Sequence, residues 1–344
     1  MKTNESSGEI VLCLSAVATG QRFLTELVHL DCRVVLLTLH DLRDADWPRE
    51  FLAELHTMPG GMTLQQIIHT VAYLARSHAF TRIFALDPSL TEAAATLREH
   101  LQIPGMGITT TRYFRDRLAM RRKAAHLGVR VPAFTSVVNY DDLRAYMENV
   151  PAPWLLQPRC GPSDPSIPVL HNSEQVWRTL DALGDRQSYY FLEQIVSGDP
   201  LHVDAIAANG RVAFAAVHFP VKPSVQQENP LDGETAPVSL NSAQARELKR
   251  THASLLRGFG LVRGAAESEF LRSHATGELY FLETSAAFAD QSAIAAIERA
   301  RGLNLWEEWA RLEIAALRGQ PYALPRRNAV AEAHVPEPQS AGPA

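Results

Sequence analysis

The sequence predicts a mixed fold: a doubly wound, Rossmann-like α/β lobe at the amino terminus, followed by an α+β region built on antiparallel hairpins. In residues 9–39, two apolar runs rich in β-branched residues flank a segment with helical periodicity, which is the order of a βαβ unit. Asn209-Gly210 lies between two further apolar runs and is a strong signal for a type I′ hairpin turn. Residues 260–290 contain two short strand-like runs on either side of a polar turn, which predicts a second hairpin.

The amino-terminal lobe is predicted to extend over residues 1–108. After the first βαβ unit, residues 63–77 have the pattern of an amphipathic helix with Thr63 as its N-cap, and a strand and a helix follow. An Ile-Pro-Gly-Met-Gly segment at residues 103–107 then ends the lobe as a connector. The turn after the first strand, Ser-Ala-Val-Ala-Thr-Gly, has a single glycine, which excludes the Gly-x-Gly-x-x-Gly fingerprint of a dinucleotide site at that position.

The composition bounds the class of protein. A chain of 344 residues is long enough for two or three packed lobes, and its formal net charge of −5 gives no electrostatic case for binding nucleic acid or an anionic membrane. Three cysteines without Cys-x-x-Cys spacing favour a reducing compartment and give no zinc signature. The first apolar run, residues 10–18, is too short to span a bilayer. We therefore expect a cytoplasmic protein, with residues 325–344, rich in proline and alanine, as a disordered tail.

The hairpin in residues 260–290 carries the strongest candidate for a functional site. Folding it about Thr276 places three pairs opposite each other: Leu271 and Phe281, Glu269 and Glu283, and Glu267 and Ser285. Two carboxylates directly opposite on one face are destabilising unless one is protonated or a divalent cation lies between them. The pattern therefore predicts a Mg²⁺ site with oxygen ligands from the two facing glutamates. The alternative is a solvent-facing strand pair with a different register.

Four segments, in this order along the chain, resemble the ATP-grasp superfamily. They cover most of residues 110–315 and are FRDRLAMRRKAAHLGVRVPAF, PWLLQPRCGPSDPSI, FLEQIVSGDPLHVDAIAANGRVAFAAV and ESEFLRSHATGELYFLE. The resemblance implies an ATP-grasp fold in which residues 1–108 are the pre-ATP-grasp lobe. Residues 109–186 would be the central subdomain with the small phosphate loop, and residues 187–324 the carboxy-terminal subdomain with the metal glutamates.

The resemblance also implies a ligand set, with ATP and Mg²⁺ as cofactors. Glu269, Glu283 and Ser285 would hold the metal, with Ser285 standing where the family has asparagine. Arg117 follows the aspartate that corresponds to the family's Asp-Lys helix, and Lys222 is at the start of a long polar segment. Both are candidates for catalytic phosphate contacts. The alternative for Lys222 is an ordinary surface lysine. The residues that would bind the nucleotide are Arg117, Gln157, Arg159, Glu193, Gln194, Ile195, Val196 and His202, of which residues 193–196 would act through their backbone.

Several positions depart from the family pattern, and two hypotheses follow. Gln157 replaces a lysine, Ala287 replaces an arginine, and Pro162 and Pro165 remove amide donors from the phosphate loop. The first hypothesis is an ATP-dependent ligase that joins a small-molecule carboxylate to an amine or thiol through an acyl phosphate. The second is a pseudoenzyme that uses the same fold for binding or scaffolding, and a kinase-like outcome also stays open. The helical face of residues 306–317 is a candidate homodimer interface, with core packing as the alternative.

Overall fold

A computed structural model describes residues 8–161, 167–220, 235–237 and 243–325 of the chain. Lys222, Pro162, Pro165 and the predicted tail beyond residue 325 lie outside the described residues. In the part of the chain that is described, no helix combines the length and the apolar character needed to cross a membrane.

The amino-terminal lobe is a four-stranded parallel sheet with helices on both faces, as the sequence predicts. The strands lie in the order β3-β2-β1-β4 and are β1 (Ile10–Ser15), β2 (Arg33–Leu39), β3 (Glu54–Met58) and β4 (Phe80–Ala85). The helices are α1 (Gln21–His29), α2 (Leu64–Leu74) and α3 (Thr91–His100). Alternate residues of β1 enter different cores: Val11 and Cys13 pack with α1, whereas Leu12 and Leu14 pack with α2 and α3. Thr63 caps α2 in a capping box with Gln66.

A second, smaller sheet has three antiparallel strands in the order β5-β7-β6. Its elements, with the two short helices that precede it, are α4 (Ile108–Thr111), α5 (Arg117–His126), β5 (Phe134–Ser136), α6 (Tyr140–Asn149), β6 (Trp154–Pro158), α7 (Ser173–Leu183) and β7 (Tyr190–Gln194). Leu143 of α6 and Leu180 of α7 join Trp154 and Leu192 of the strands in one separate apolar core. The sheet is therefore covered by its own helices and forms a compact unit beside the rest of the chain.

The third sheet has five antiparallel strands in the order β10-β9-β8-β11-β12. The elements are β8 (Gly198–Ala208), β9 (Arg211–Pro220), β10 (Thr235–Pro237), α8 (Ala243–Phe259), β11 (Gly264–Ser273), β12 (Leu279–Ser285), α9 (Gln291–Arg301) and α10 (Leu305–Leu317). Asn209 and Gly210 both have positive φ, 52° and 72°, as a type I′ turn requires, which confirms the predicted hairpin. On one face of the sheet, Val203 and Phe270 pack in the same core as Leu255 of α8.

The hairpin of β11 and β12 has the predicted register at its glutamates but not at its apolar end. Glu269 faces Glu283, whereas Phe281 faces Phe270 and not Leu271. The reason is a β-bulge, because Leu282 is an extra residue on β12 and shifts the pairing by one position. The predicted pairing of Leu271 with Phe281 is therefore wrong.

The helical face of residues 306–317 is core rather than free surface. Trp306 and Trp309 of α10 are 2% and 4% exposed and contact Phe23 of α1 with their rings. The same apolar cluster includes Ile206 of β8 and Phe84 of β4, so α10 packs against both the amino-terminal lobe and the five-stranded sheet. Of the two interpretations of this face, core packing is the one that the structure supports.

Candidate functional site

One face of the five-stranded sheet carries two rows of polar side chains. Directly opposite residues of antiparallel strands share a face, and so do residues two apart along a strand. The first row crosses β9, β8, β11 and β12 and consists of His218, His202, Glu269 and Glu283. The second crosses β8, β11 and β12 and consists of Asp204, Glu267 and Ser285. The structure thus brings together the predicted metal ligands Glu269, Glu283 and Ser285, and it adds partners from β8 and β9.

Two of the carboxylates in these rows, those of Glu267 and Glu269, have raised pKa values. Burial, followed by the charge of Asp204, raises the pKa of Glu267 to about 8, although two backbone amides act in the opposite direction. Burial, followed by the charge of Glu283, raises the pKa of Glu269 to about 7, and Arg117 and Arg121 offset part of that increase. A divalent cation would relieve both causes, because it supplies the positive charge that the buried carboxylates lack.

Arg117 ties one of these glutamates to the segment that follows β6. Its Nε donates a hydrogen bond to Glu283 Oε2 at 2.5 Å, and its Nη1 donates to the carbonyl oxygens of Pro158 at 3.2 Å and Gly161 at 2.6 Å. The backbone amide of Arg117 also donates to the Arg159 carbonyl at 2.7 Å. The predicted phosphate contact therefore stands beside the candidate metal glutamates, in a position fixed by four hydrogen bonds.

The second predicted cation of this segment, Arg159, is paired within the protein. Its Nη2 lies 2.5 Å from Asp116 Oδ2, and Asp116 also caps α5 by accepting the Ala119 amide at 3.2 Å. Asp116 thus holds the start of α5 against the strand end that carries Arg159. A phosphate contact by Arg159 would have to compete with this ion pair.

Arg121 is the functional candidate that sequence reasoning missed. It is 2% exposed and makes a two-pronged ion pair with Glu193, from Nε at 2.5 Å and from Nη2 at 3.2 Å. Gln157, at the position of the family's lysine, donates to the same carboxylate at 3.3 Å. The remaining nitrogen of Arg121, Nη1, is buried without a partner in the described residues. The one available signal was its spacing, four residues after Arg117 on the same helix, which places both guanidinium groups on one face.

The predicted adenine hinge, residues 193–196, is partly engaged with the protein. The amides of Gln194 and Ile195 donate to the carbonyl oxygens of Ala133 at 2.8 Å and Pro153 at 3.2 Å. The side chain of Glu193 is taken by the ion pair with Arg121. The assignment of Glu193, Gln194, Ile195 and Val196 to the nucleotide stays a prediction. It depends on the backbone groups of these residues other than the amides of Gln194 and Ile195.

His202 and Ser285 both have atoms that can accept a hydrogen bond or coordinate a cation. His202 lies in the first polar row, and its ligand atom is within 4.8 Å of those of Glu267 and Glu269. Burial lowers the pKa of His202, and the neighbouring His218 lowers it further, which favours the neutral imidazole that can act as a ligand. The hydroxyl of Ser285 donates to the Ala287 carbonyl at 2.6 Å, which leaves its oxygen lone pairs able to accept or to coordinate.

A cavity of about 510 Å³ opens in front of the glutamates, between the five-stranded sheet and the amino-terminal lobe. The cavity is lined by Arg117, Glu267, Glu269 and Glu283, and by residues that follow β1 and β4, including Val17 and Ser89. Apolar side chains, among them those of Phe114, Met120 and Phe288, also line the cavity. Cavities of this size with a few convergent polar groups are typical of small-molecule sites.

No protein-family model matches the chain. Over 217 residues, it is 24% identical to an L-arginine-specific L-amino acid ligase of Bacillus subtilis, and the match covers 61% of this chain. The match covers 52% of that ligase, so the chain spans about half of the length of this relative.

Three solved structures share the fold over nearly the whole chain. An L-amino acid ligase from Bacillus licheniformis superposes with a TM-score of 0.71 at 14% identity and covers 90% of this chain and 74% of its own. The biotin carboxylase domain of the Hydrogenobacter thermophilus 2-oxoglutarate carboxylase, in complex with MgADP, gives 0.71 at 17% identity, with 92% and 71% covered. The N5-carboxyaminoimidazole synthetase of Staphylococcus aureus, complexed with ADP, gives 0.69 at 16%, with 94% and 80% covered.

The resemblance of the four sequence segments agrees with the order of the three sheets and with the facing glutamates of the β11–β12 hairpin. It also agrees with the similarities to these known proteins. Together these findings show that the chain has the ATP-grasp fold.

Proposed function

We propose that the protein is an ATP-dependent ligase that joins the carboxylate of a small molecule, in the first instance an amino acid, to an amine through an acyl phosphate. The observation that carries the proposal is the pair of facing carboxylates, Glu269 and Glu283, which line a cavity of about 510 Å³, with Arg117 hydrogen-bonded to Glu283. The similarity to two L-amino acid ligases supports an amino acid as the acid substrate.

The residues present fit a magnesium ion. The donors are carboxylate oxygens, which Mg²⁺ prefers, and they carry more negative charge than the neighbouring guanidinium groups compensate. Glu269 and Glu283 would hold the ion, with Ser285 as a neutral oxygen donor beside them. When bound, Mg²⁺ supplies charge neutralisation for the nucleotide phosphates.

The side chains of this chain position and neutralise charge rather than form covalent bonds. Arg117 presents a guanidinium at the glutamates, and its own hydrogen bonds to three backbone or side-chain oxygens keep it in place. Arg121 adds positive charge from the next turn of α5, held by Glu193, where the sequence has lost the lysine at Gln157. Preorganised charge of this kind is the main contribution of proteins that transfer phosphoryl groups.

The test is release of ADP from Mg-ATP in the presence of amino acids supplied as acid and amine together. We expect release that requires both substrates, that is lost in Glu269→Gln and Glu283→Gln, and that survives in Glu278→Gln. Glu278 is the matched control, because it lies at the end of the same hairpin and is paired with Arg130 at 2.6 Å. ADP release that needs no acid, or that persists in Glu269→Gln and Glu283→Gln, would contradict the proposal.

The second candidate function is a pseudoenzyme that binds a nucleotide without turning it over. The specific observation in its favour is Gln157, which replaces a charged lysine and uses its amide on Glu193. Its signature would be Mg-dependent ATP binding with no ADP release for any pair of acid and amine, whereas phosphorylation of a hydroxyl substrate would indicate kinase-like transfer.

A further inference from the structure

A second group of possible metal ligands lies next to the Glu269–Glu283 pair, in the direction of β8. His202 of β8 is directly opposite Glu269 of β11, and Glu267 lies two residues before Glu269 on the same face. One ligand atom from each of these three side chains falls within 4.8 Å of the others. The row of polar residues therefore does not end at the facing glutamates but continues into a site with a nitrogen ligand.

The protein fixes the carboxylate of Glu267 and leaves one nitrogen of His202 without a hydrogen-bond partner among the described residues. Glu267 is 9% exposed, and its Oε2 accepts the amides of Ala289 at 2.6 Å and Asp290 at 3.4 Å. These bonds hold the carboxylate in place and leave Oε1 available. The Nδ1 atom of His202 is buried and has no hydrogen-bond partner in the described part of the chain.

The surroundings of the three ligands are rich in carboxyl groups and include buried polar atoms without partners among the described residues. Asp204 is fully buried opposite Glu267; its Oδ2 lies 2.6 Å from His218 Nε2, whereas its Oδ1 has no partner among the described residues. Arg117 and Arg121 make their ion pairs with other carboxylates, Glu283 and Glu193. A buried oxygen and a buried nitrogen without partners, beside three carboxylates, are the environment that a bound cation satisfies.

We propose that His202, Glu267 and Glu269 form a second divalent-cation site, beside the Glu269–Glu283 pair, and that this site prefers a first-row transition-metal ion over Mg²⁺. The preference follows from the imidazole, since nitrogen ligands suit transition metals, whereas Mg²⁺ is held by oxygen ligands. Glu269 is shared between the two sites. The inference goes beyond the proposed ligase activity, because it requires neither nucleotide nor turnover.

The experiment uses Mn²⁺ as the probe with the full chain in the absence of nucleotide. Loss of the electron paramagnetic resonance signal of free Mn²⁺ counts the bound ions, and pulsed measurements detect the ¹⁴N coupling of a coordinated imidazole. We expect a bound Mn²⁺ with nitrogen coupling that a tenfold excess of Mg²⁺ does not displace. The coupling should disappear in His202→Asn and persist in His274→Asn, the control, whose exposed ring pairs with Asp199.

Three further measurements apply even if His202→Asn fails to fold. Labelling the native protein with ¹⁵N-histidine should replace the ¹⁴N coupling by a ¹⁵N coupling, and Glu267→Gln, which can still accept both amides, should weaken Mn²⁺ binding about tenfold or more. Glu283→Gln should retain the nitrogen-coupled ion even though it removes one ligand of the proposed nucleotide-linked site. Absence of nitrogen coupling, its persistence in His202→Asn, or displacement by equimolar Mg²⁺ would overturn the inference, whatever the outcome of the ligase assay.

Discussion

Replacing Glu269 by glutamine should stabilise the metal-free protein at pH 8 and change its stability much less at pH 5. In the folded protein, burial and the facing Glu283 raise the pKa of Glu269 from 4.5 to about 7. Below pH 4.5 the folded and unfolded chains both hold the proton. As the pH rises towards 7, the unfolded chain releases its proton first, so the free energy of unfolding falls.

The size of the effect follows from the two pKa values. Each pH unit between 4.5 and about 7 removes about 1.4 kcal/mol, which gives a loss of about 3 kcal/mol at pH 8 and of about 1 kcal/mol at pH 5. Glutamine has no ionised form and avoids that loss. At about 2 °C per kcal/mol for a chain of this size, the melting temperature of Glu269→Gln should exceed that of the native protein by about 6 °C at pH 8.

The assay is a pair of thermal melts in a chelating buffer, at pH 5 and pH 8, on the native protein, Glu269→Gln and Glu278→Gln. Glu278 has an arginine partner at the surface, so its replacement should not stabilise the protein at either pH. An equal or lower melting temperature for Glu269→Gln at pH 8, or the same gain at both pH values, would refute the account of the carboxylate pair.

Three further predictions concern the cations around the site and one buried histidine. Arg121→Met should lower the free energy of unfolding by about 3–5 kcal/mol, because it leaves the buried Glu193 carboxylate without its arginine partner. Adding Glu193→Leu should recover much of that loss in denaturant unfolding, and a double variant no more stable than Arg121→Met would contradict this. Arg117→Gln should weaken Mg-ATP binding at least about tenfold by calorimetry, whereas Arg122→Gln, exposed on the same helix, should not, and equal losses would be evidence against a specific role. His252 is fully buried with both ring nitrogens unpartnered among the described residues, and burial lowers its pKa to about 3. Because the unfolded histidine takes up a proton below pH 6.5 and the folded one does not, the native protein loses stability on acidification. The free energy of unfolding of His252→Leu, relative to that of the native protein, should therefore rise by about 2 kcal/mol between pH 7 and pH 5. A difference that does not change with pH would count against this.

The sequence predicted that Glu269 and Glu283 face each other because this feature depends on short-range patterns. The two glutamates fall opposite each other because the turn at residues 274–278 is short, and alternation along each strand then fixes the face. The same reasoning failed at Leu271, since nothing in the residue types marks Leu282 as the extra residue of a bulge.

Features that depend on distant segments were not predictable in the same way. Arg121 lies in a run of basic residues that resembles a solvated helix face, and only the packing of α5 against β7 shows that it is buried on Glu193. The alternation of His202 and Asp204 was visible in the sequence, but their alignment with Glu269 and Glu267 is set by the pairing of β8 with β11, two strands far apart in the chain. Non-local strand pairing leaves no short-range signal for a single sequence to reveal.

The central claim is that Glu269 and Glu283 hold a magnesium ion that binds together with ATP. The most direct test is titration calorimetry of ATP into the native protein with and without Mg²⁺, repeated on the Glu269→Gln, Glu283→Gln double variant. We predict binding that requires Mg²⁺ in the native protein and is abolished in the double variant, while a melt at pH 8 shows the variant to be folded. Absence of ATP binding in the native protein, or binding that is indifferent to Mg²⁺ and to the two substitutions, would contradict the claim.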